Sequence, residues 1–178
     1  MRPKLSNSVE AAQALLGWEL IHYTPYGPVG GIIIETEAYA SNDPASHSFK
    51  GVTSRTQPMF LEAGTVYMYF IYGMHWCFNI VTGPVGTGEA VLIRTLKPTI
   101  GQDIMHKNRH TQAASKLCNG PGSLVQALGI PPLYNGRKLS DTHLELRPPA
   151  EKLPLVQAST RIGITKAKEK LWRFFITA

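Results

Sequence analysis

Two glutamates, a tyrosine and a histidine share one short stretch of the chain: Glu35, Glu37 and Tyr39, followed by Asp43-Pro44-Ala45-Ser46-His47-Ser48. The stretch leaves a run of apolar and glycine residues, Gly31 to Ile34, so these groups stand where a buried strand opens into a loop. Reactive side chains are commonly held in such places by the rigid element behind them. A carboxylate at a strand exit can be partly withdrawn from solvent and still meet a water molecule, which is what a general base requires, and Glu37 is the candidate. Glu35 lies on the same face of an extended strand, about 7 Å away. Two carboxylates so placed cannot flank a scissile bond from opposite sides, which argues against a carbohydrate-directed pair. An arbitrary Glu-x-Glu most often lies solvated on an open sheet face, so the surrounding residues must carry the rest.

Those surroundings are aromatic. Gly64 to Met74 contains Tyr67, Tyr69 and Tyr72. Alternation in a strand puts Tyr67 and Tyr69 on one side, the usual pattern of core aromatics. Tyr72 precedes Gly73 at an expected hairpin tip, where a large side chain can enter a base stack as a wedge. Arg94 follows Ala90-Val91-Leu92-Ile93 at the end of an apolar strand and suits a phosphate or a carboxylate. Lys50, Thr53, Ser54, Arg55 and Thr56 form a polar, basic loop suited to backbone phosphates, with Lys50, Thr53 and Arg55 as the contacts. His106 and His110 have the i, i+4 spacing of a helical pair, but no carboxylate-bearing motif accompanies them, and with His47 and His75 they read as hydrogen-bonding or surface residues. No metal is expected. Gly83 to Gly88 lacks the Lys-Ser/Thr ending of a phosphate-binding loop and joins strand to strand.

The elements that must position these residues follow from pattern. Asn7 with Glu10 resembles a capping box ahead of a short helix from Ala11 to Leu16 that Gly17 stops. After a turn-rich stretch, Ile32 to Glu37 reads as a strand that would place Ile33, Glu35, Glu37 and Tyr39 on one side. Thr65 to Tyr72, Trp76 to Thr82 and Glu89 to Leu96 read as an antiparallel meander. Helical patterns cover Gly101 to Asn108 and Ser123 to Leu128, the second between Pro121 and Gly129. Pro131 to Pro154 reads as a surface excursion, and Arg161 to Ile164 and Trp172 to Ile176 as terminal strands. Consecutive strands with helices to either side argue for an α+β fold.

With 178 residues the chain suffices for one sizeable core, so residues 1–178 are expected to form a single domain. Apolar content of 43% and charged content of 17% mark an ordinary globular protein. A net charge of +6 favours an anionic partner, nucleic acid first, although many globular proteins are simply basic. Two cysteines, Cys77 and Cys118, suggest neither a disulfide framework nor a cluster. With neither a secretion signal nor a membrane-length apolar run, the expectation is a soluble, intracellular protein.

Four segments in order, Glu35 to Tyr39, Ala45 to Ser48, Gly64 to Met74 and Ser115 to Gly122, resemble the alkyladenine (3-methyladenine) DNA glycosylase family, and the resemblance runs from about Ala11 through Phe174. It implies a curved antiparallel sheet with flanking helices and a protruding β-hairpin, in a base excision repair enzyme that flips alkylated or deaminated purines out of duplex DNA. The N-glycosidic bond is then hydrolysed and an abasic site is left. Carried over by position, Glu37 activates water and Arg94 helps to place it. Tyr39, His47 and Tyr69 form the stacking pocket, Asn79 obstructs the exocyclic amino group of normal guanine, and Tyr72 intercalates. No cofactor is implied, the partner is double-stranded DNA holding a damaged purine, and the protein acts as a monomer. No lysine lies in the matched catalytic motif, so strand-cleaving lyase activity, which needs an amine, is not expected. Ser54 stands where family members commonly have proline, and Leu171 likewise precedes Trp172. The main reading from another class is a non-catalytic binder of damaged or single-stranded DNA that stacks bases on Tyr39, Tyr69 and Tyr72.

Overall fold

A computed structural model describes residues 3–71, 73–150 and 153–177. Asn7 sets where the chain first turns helical: its side chain accepts from the Glu10 amide at 2.9 Å and starts α1 (Ser8–Ala14). The Glu10 carboxylate turns to Ser6 and Lys4 rather than back to the cap. Ala11, Ala12, Leu15 and Leu16 are fully buried beneath the sheet, each leucine contributing about 1.5–3 kcal/mol by leaving water.

Gly17, at φ 78°, ends the turn, and the chain enters β1 (Glu19–Thr24) and β2 (Gly27–Tyr39), an antiparallel pair. The sequence pattern predicts no strand at Glu19–Thr24, and β2 begins five residues before the expected start at Ile32. After the loop that holds His47 and the expected backbone contacts come β3 (Val66–Ile71), β4 (His75–Thr82) and β5 (Glu89–Ile100), the expected meander. Next come α2 (Gln102–Arg109), α3 (Pro121–Leu128) and β6 (Leu144–Arg147), then β7 (Gln157–Ser159) and β8 (Arg173–Phe175). Among the described residues, β3-β4-β5-β2-β1-β6 form one antiparallel sheet, with β8 paired to both β2 and β7. The α+β architecture is as expected.

Three further placements differ. Arg161 to Ile164 is irregular, and the short strand before β8 is Gln157–Ser159 instead. The Pro131 to Pro154 region is tied down: Tyr134 is buried, and β6 lengthens the sheet by pairing with β1. His110 closes α2 in the left-handed region (φ 49°), so it is not a helical partner of His106.

Period-two alternation sorts the sheet into two faces. Val66, Met68, Phe78, Ile80, Val91 and Ile93 point into the main core with the helices. Tyr67, Tyr69, Cys77, Asn79, Ala90 and Leu92 line the opposite side. The pairing of β2 with β5 shifts register between Ile33, opposite Leu96, and Thr36, opposite Ile93, with Glu35 opposite Thr95 between them. The irregularity leaves one residue unpaired on each strand, Ile34 and Arg94, and so exchanges the faces of both. Ile33 therefore lies in the core with Ala38, while Glu37 and Tyr39 face away from it, contrary to the expected shared side. On the partner strand Arg94 sits at the same shift, in mid-strand rather than at the strand end expected from the sequence. Among the described residues no helix is long and apolar enough to cross a membrane.

Candidate active site

The face of the sheet opposite the helices borders a cavity of about 590 Å³. Its walls come from β2, β3, β4 and β5, from the loop of residues 44–47, and from the irregular segment 162–166. Glu37, Tyr39, His47, Tyr69, Asn79 and Arg94, proposed from distant parts of the sequence, all line it. Tyr72 lies outside the described residues.

Glu37 exposes none of its surface, more enclosed than the partly withdrawn carboxylate anticipated. Its Oε2 accepts from the Tyr39 hydroxyl at 2.7 Å, and its Oε1 accepts from the Ile162 amide at 2.8 Å with Arg94 Nη1 at 3.3 Å. A carboxylate oxygen can accept about twice, so Oε2, with the Tyr39 hydroxyl as its one hydrogen-bond donor, keeps an acceptor position open. Burial, and next the Glu37 charge, push the Tyr39 hydroxyl well above its ordinary value, so it remains a donor. Arg94 is itself 12% exposed and spans both glutamates, with Nε donating to Glu35 at 3.3 Å. Glu35 does not border the cavity. It is held by Arg173 at 2.7 Å and by the Thr95 hydroxyl at 2.6 Å. Burial pushes the Glu35 carboxyl upward, but hydrogen bonds from Thr95 and Arg173 and the charges of Arg94 and Arg173 outweigh it and lower its pKa.

The aromatic wall is equally constrained. The His47 and Tyr69 rings meet edge to face at 4.6 Å, and His47 Nδ1 shares a 2.9 Å hydrogen bond with the Tyr67 hydroxyl. Tyr67 is buried, and its ring centroid lies 5.7 Å from that of Tyr69. Asn79 Nδ2 donates to the Tyr67 carbonyl at 3.0 Å, which fixes the amide against the wall. Although His47 as a residue is exposed, withdrawal of its ring from water, and next the Arg55 charge, lower its pKa to about 4. An NMR titration of His47 is expected to show a midpoint near that value; the ordinary midpoint of about 6.5 would contradict this packing. Because the unfolded chain takes up that proton first, His47 destabilises the fold as pH falls from about 6.5 towards 4.

Lys50, Thr53 and Arg55 are exposed on the loop beyond His47, and the Arg55 guanidinium also lies 5.6 Å from the Tyr69 ring centroid. The loop is stiffened without the proline. Thr53 N donates to Thr56 Oγ1 at 2.8 Å, and that hydroxyl donates to the Gly51 carbonyl at 3.0 Å. Sequence reasoning missed the Ile162 amide on Glu37, Lys166 at the cavity, and the buried Asp43–Arg161 pair behind Tyr39. Their only signal was an aspartate in an Asn-Asp-Pro turn, with nothing to tie it to an arginine 118 positions later.

A family model described as methylpurine-DNA glycosylase (MPG) matches residues 4–178. A protein of Nitrosospira multiformis is 46% identical over 169 residues, spanning 95% of this chain and 85% of the relative. One from Methanoculleus marisnigri is 45% identical over 174 residues, 96% of this chain and 90% of the relative. One from Granulibacter bethesdensis is 47% identical over 169 residues, 93% and 78% respectively. All three are named, provisionally, as 3-methyladenine DNA glycosylases.

Proposed function

The chain belongs to the methylpurine-DNA glycosylase family of DNA repair enzymes, and on that premise we propose that it flips damaged purines from duplex DNA into the aromatic cavity and hydrolyses their N-glycosidic bond. The observation that carries the reading is the placement of Glu37: a buried carboxylate with one free acceptor position, on the wall of a cavity bordered by Tyr39, Tyr69 and His47. A purine stacked between those rings brings its sugar carbon to the carboxylate. Water adds to that carbon and gives its proton to Glu37 Oε2, and the electron pair of the glycosidic bond leaves with the base. The carboxylate also offsets the oxocarbenium charge that grows on the sugar, and Arg94 holds the carboxylate in place. An alkylated base is cationic, which makes it a better leaving group and strengthens its stacking on tyrosine faces. Weak pairing eases its extrusion. Asn79 would stand against the exocyclic amino group of guanine, and Tyr72, which follows β3 in the sequence, would fill the gap in the duplex. Lys50, Thr53 and Arg55 would hold the backbone, with the protein acting as a single-domain monomer without a cofactor.

The same reading has hydrolysis without strand cleavage. Lys166 borders the cavity but is exposed, whereas lysines that form Schiff bases sit desolvated. The intact protein is expected to release free purine from methylated, hypoxanthine- or ethenoadenine-containing duplexes, and borohydride is expected to trap no covalent adduct on an abasic duplex. Binding to these duplexes without release of any base would instead favour the non-catalytic reading, and a trapped adduct would assign Lys166 a lyase role.

A further inference from the structure

We propose that the buried Asp43–Arg161 pair is a positioning device that sets the distance between the two loop walls of the cavity and presents the Ile162 amide to Glu37. The inference rests on the glycosylase reading and adds residues to it. Both side chains are 0% exposed, and neither borders the cavity. Arg161 Nη1 pairs with Asp43 and also donates to the Ala38 carbonyl at 2.9 Å, while Nη2 donates to Asp43 Oδ1 at 3.1 Å. The guanidinium lies over two aromatic rings, 4.8 Å from the Tyr39 centroid and 5.3 Å from that of Trp172. Lys170 supports the same pair, 3.9 Å from Asp43 and 4.0 Å from the Trp172 centroid.

What the pair joins gives it significance. Asp43 begins the turn that carries one wall, its Oδ1 accepting from the Ala45 amide at 3.2 Å and its carbonyl from the Ser46 amide at 2.8 Å. The loop then supplies Pro44 through His47 to the cavity. Arg161 begins the facing wall, Ile162 through Lys166, which has no regular secondary structure to hold it. The next residue in the chain, Ile162, donates its amide to Glu37 at 2.8 Å. One ion pair therefore fixes the back of Tyr39, the spacing of the two walls and one donor on the base. A planar fork with five donors suits this task, where a lysine could not both bridge and stack.

The test uses the full chain and the duplex from which the wild-type protein releases base. In Asp43→Asn and Arg161→Lys, single-turnover release is expected to fall by about 100-fold, while affinity for a duplex with a tetrahydrofuran abasic-site analogue changes much less. The loss is expected to persist well below each variant's melting temperature, where the molecules are folded. Ile162→Pro keeps both charged groups and removes the amide donor, together with the isoleucine side chain on the cavity wall, and it is expected to slow release while preserving the fold; with Ile162→Ala, which keeps the amide, as its control, it carries the test if the charge variants do not fold. Release at the wild-type rate per folded molecule in Asp43→Asn, Arg161→Lys and Ile162→Pro would overturn the proposal, reducing the pair to a stabilising contact. A wild-type protein that releases no base would instead end the glycosylase reading itself.

Discussion

Glu37→Gln is expected to abolish base release from damaged duplex DNA while leaving the fold and the grip on that duplex intact. The amide has nearly the shape of the carboxylate, and its carbonyl oxygen can still accept from the Ile162 amide, now at 2.8 Å from Oε1. The new NH2 group would face Tyr39, whose hydroxyl, donating at 2.7 Å in the native protein, can turn and accept. Arg94 retains Glu35 as its partner. What disappears is the acceptor for the water proton and the negative charge opposite the forming oxocarbenium. Loss of a general base costs about 10²–10⁴ in rate. Single-turnover release measured beside a mobility shift on the same duplex separates chemistry from binding. Turnover within about tenfold of the wild type, too little for loss of a general base, would remove Glu37 from the mechanism.

The residues bearing on this chemistry were legible in the sequence where local pattern decided the geometry. The meander was readable because β-branched and aromatic residues alternate between clear glycine turns, and alternation alone puts Tyr69, Asn79 and Leu92 on one face. Glu19–Thr24 was missed because its pattern does not alternate. Leu20 and Ile21 are both fully buried, and His22 is buried beside them through hydrogen bonds to the Leu128 carbonyl and the Tyr134 hydroxyl, contacts over a hundred residues away. The register shift near Glu35 was equally invisible, since only the partner strand defines it, yet it decides that Glu37 and Tyr39 leave the face of Ile33. From the sequence, Arg94 suits either a phosphate or a carboxylate at a strand end. In the fold it is committed to two carboxylates from the neighbouring strand. The 161–166 wall carries no periodic signal because tertiary contacts, above all Arg161 with Asp43, hold it rather than a sheet ladder.

Arg94→Met carries the second large expected effect, and it acts on stability as well as on rate. Glu35 would keep Arg173 and Thr95, but Glu37, fully buried, would be left with only neutral donors, the Tyr39 hydroxyl and the Ile162 amide. Breaking a buried ion pair from one side costs about 3–5 kcal/mol, because the remaining buried charge keeps no opposite charge beside it. For a domain of this size that lowers the melting temperature by about 6–20 °C. Arg94→Lys is expected to recover part of the loss, since an ammonium supplies charge but cannot fork between Glu35 and Glu37 as the guanidinium does. The diagnostic comparison is the double variant. If the instability comes from an unpaired Glu37, then adding Glu37→Gln to Arg94→Met removes that charge, and the double variant should melt above Arg94→Met alone. Thermal melts of the four proteins at neutral pH measure this coupling. Additive losses would show that Arg94 stabilises the sheet through its contact with Glu35 or through packing, and that the Glu37–Arg94 contact at 3.3 Å contributes nothing of its own.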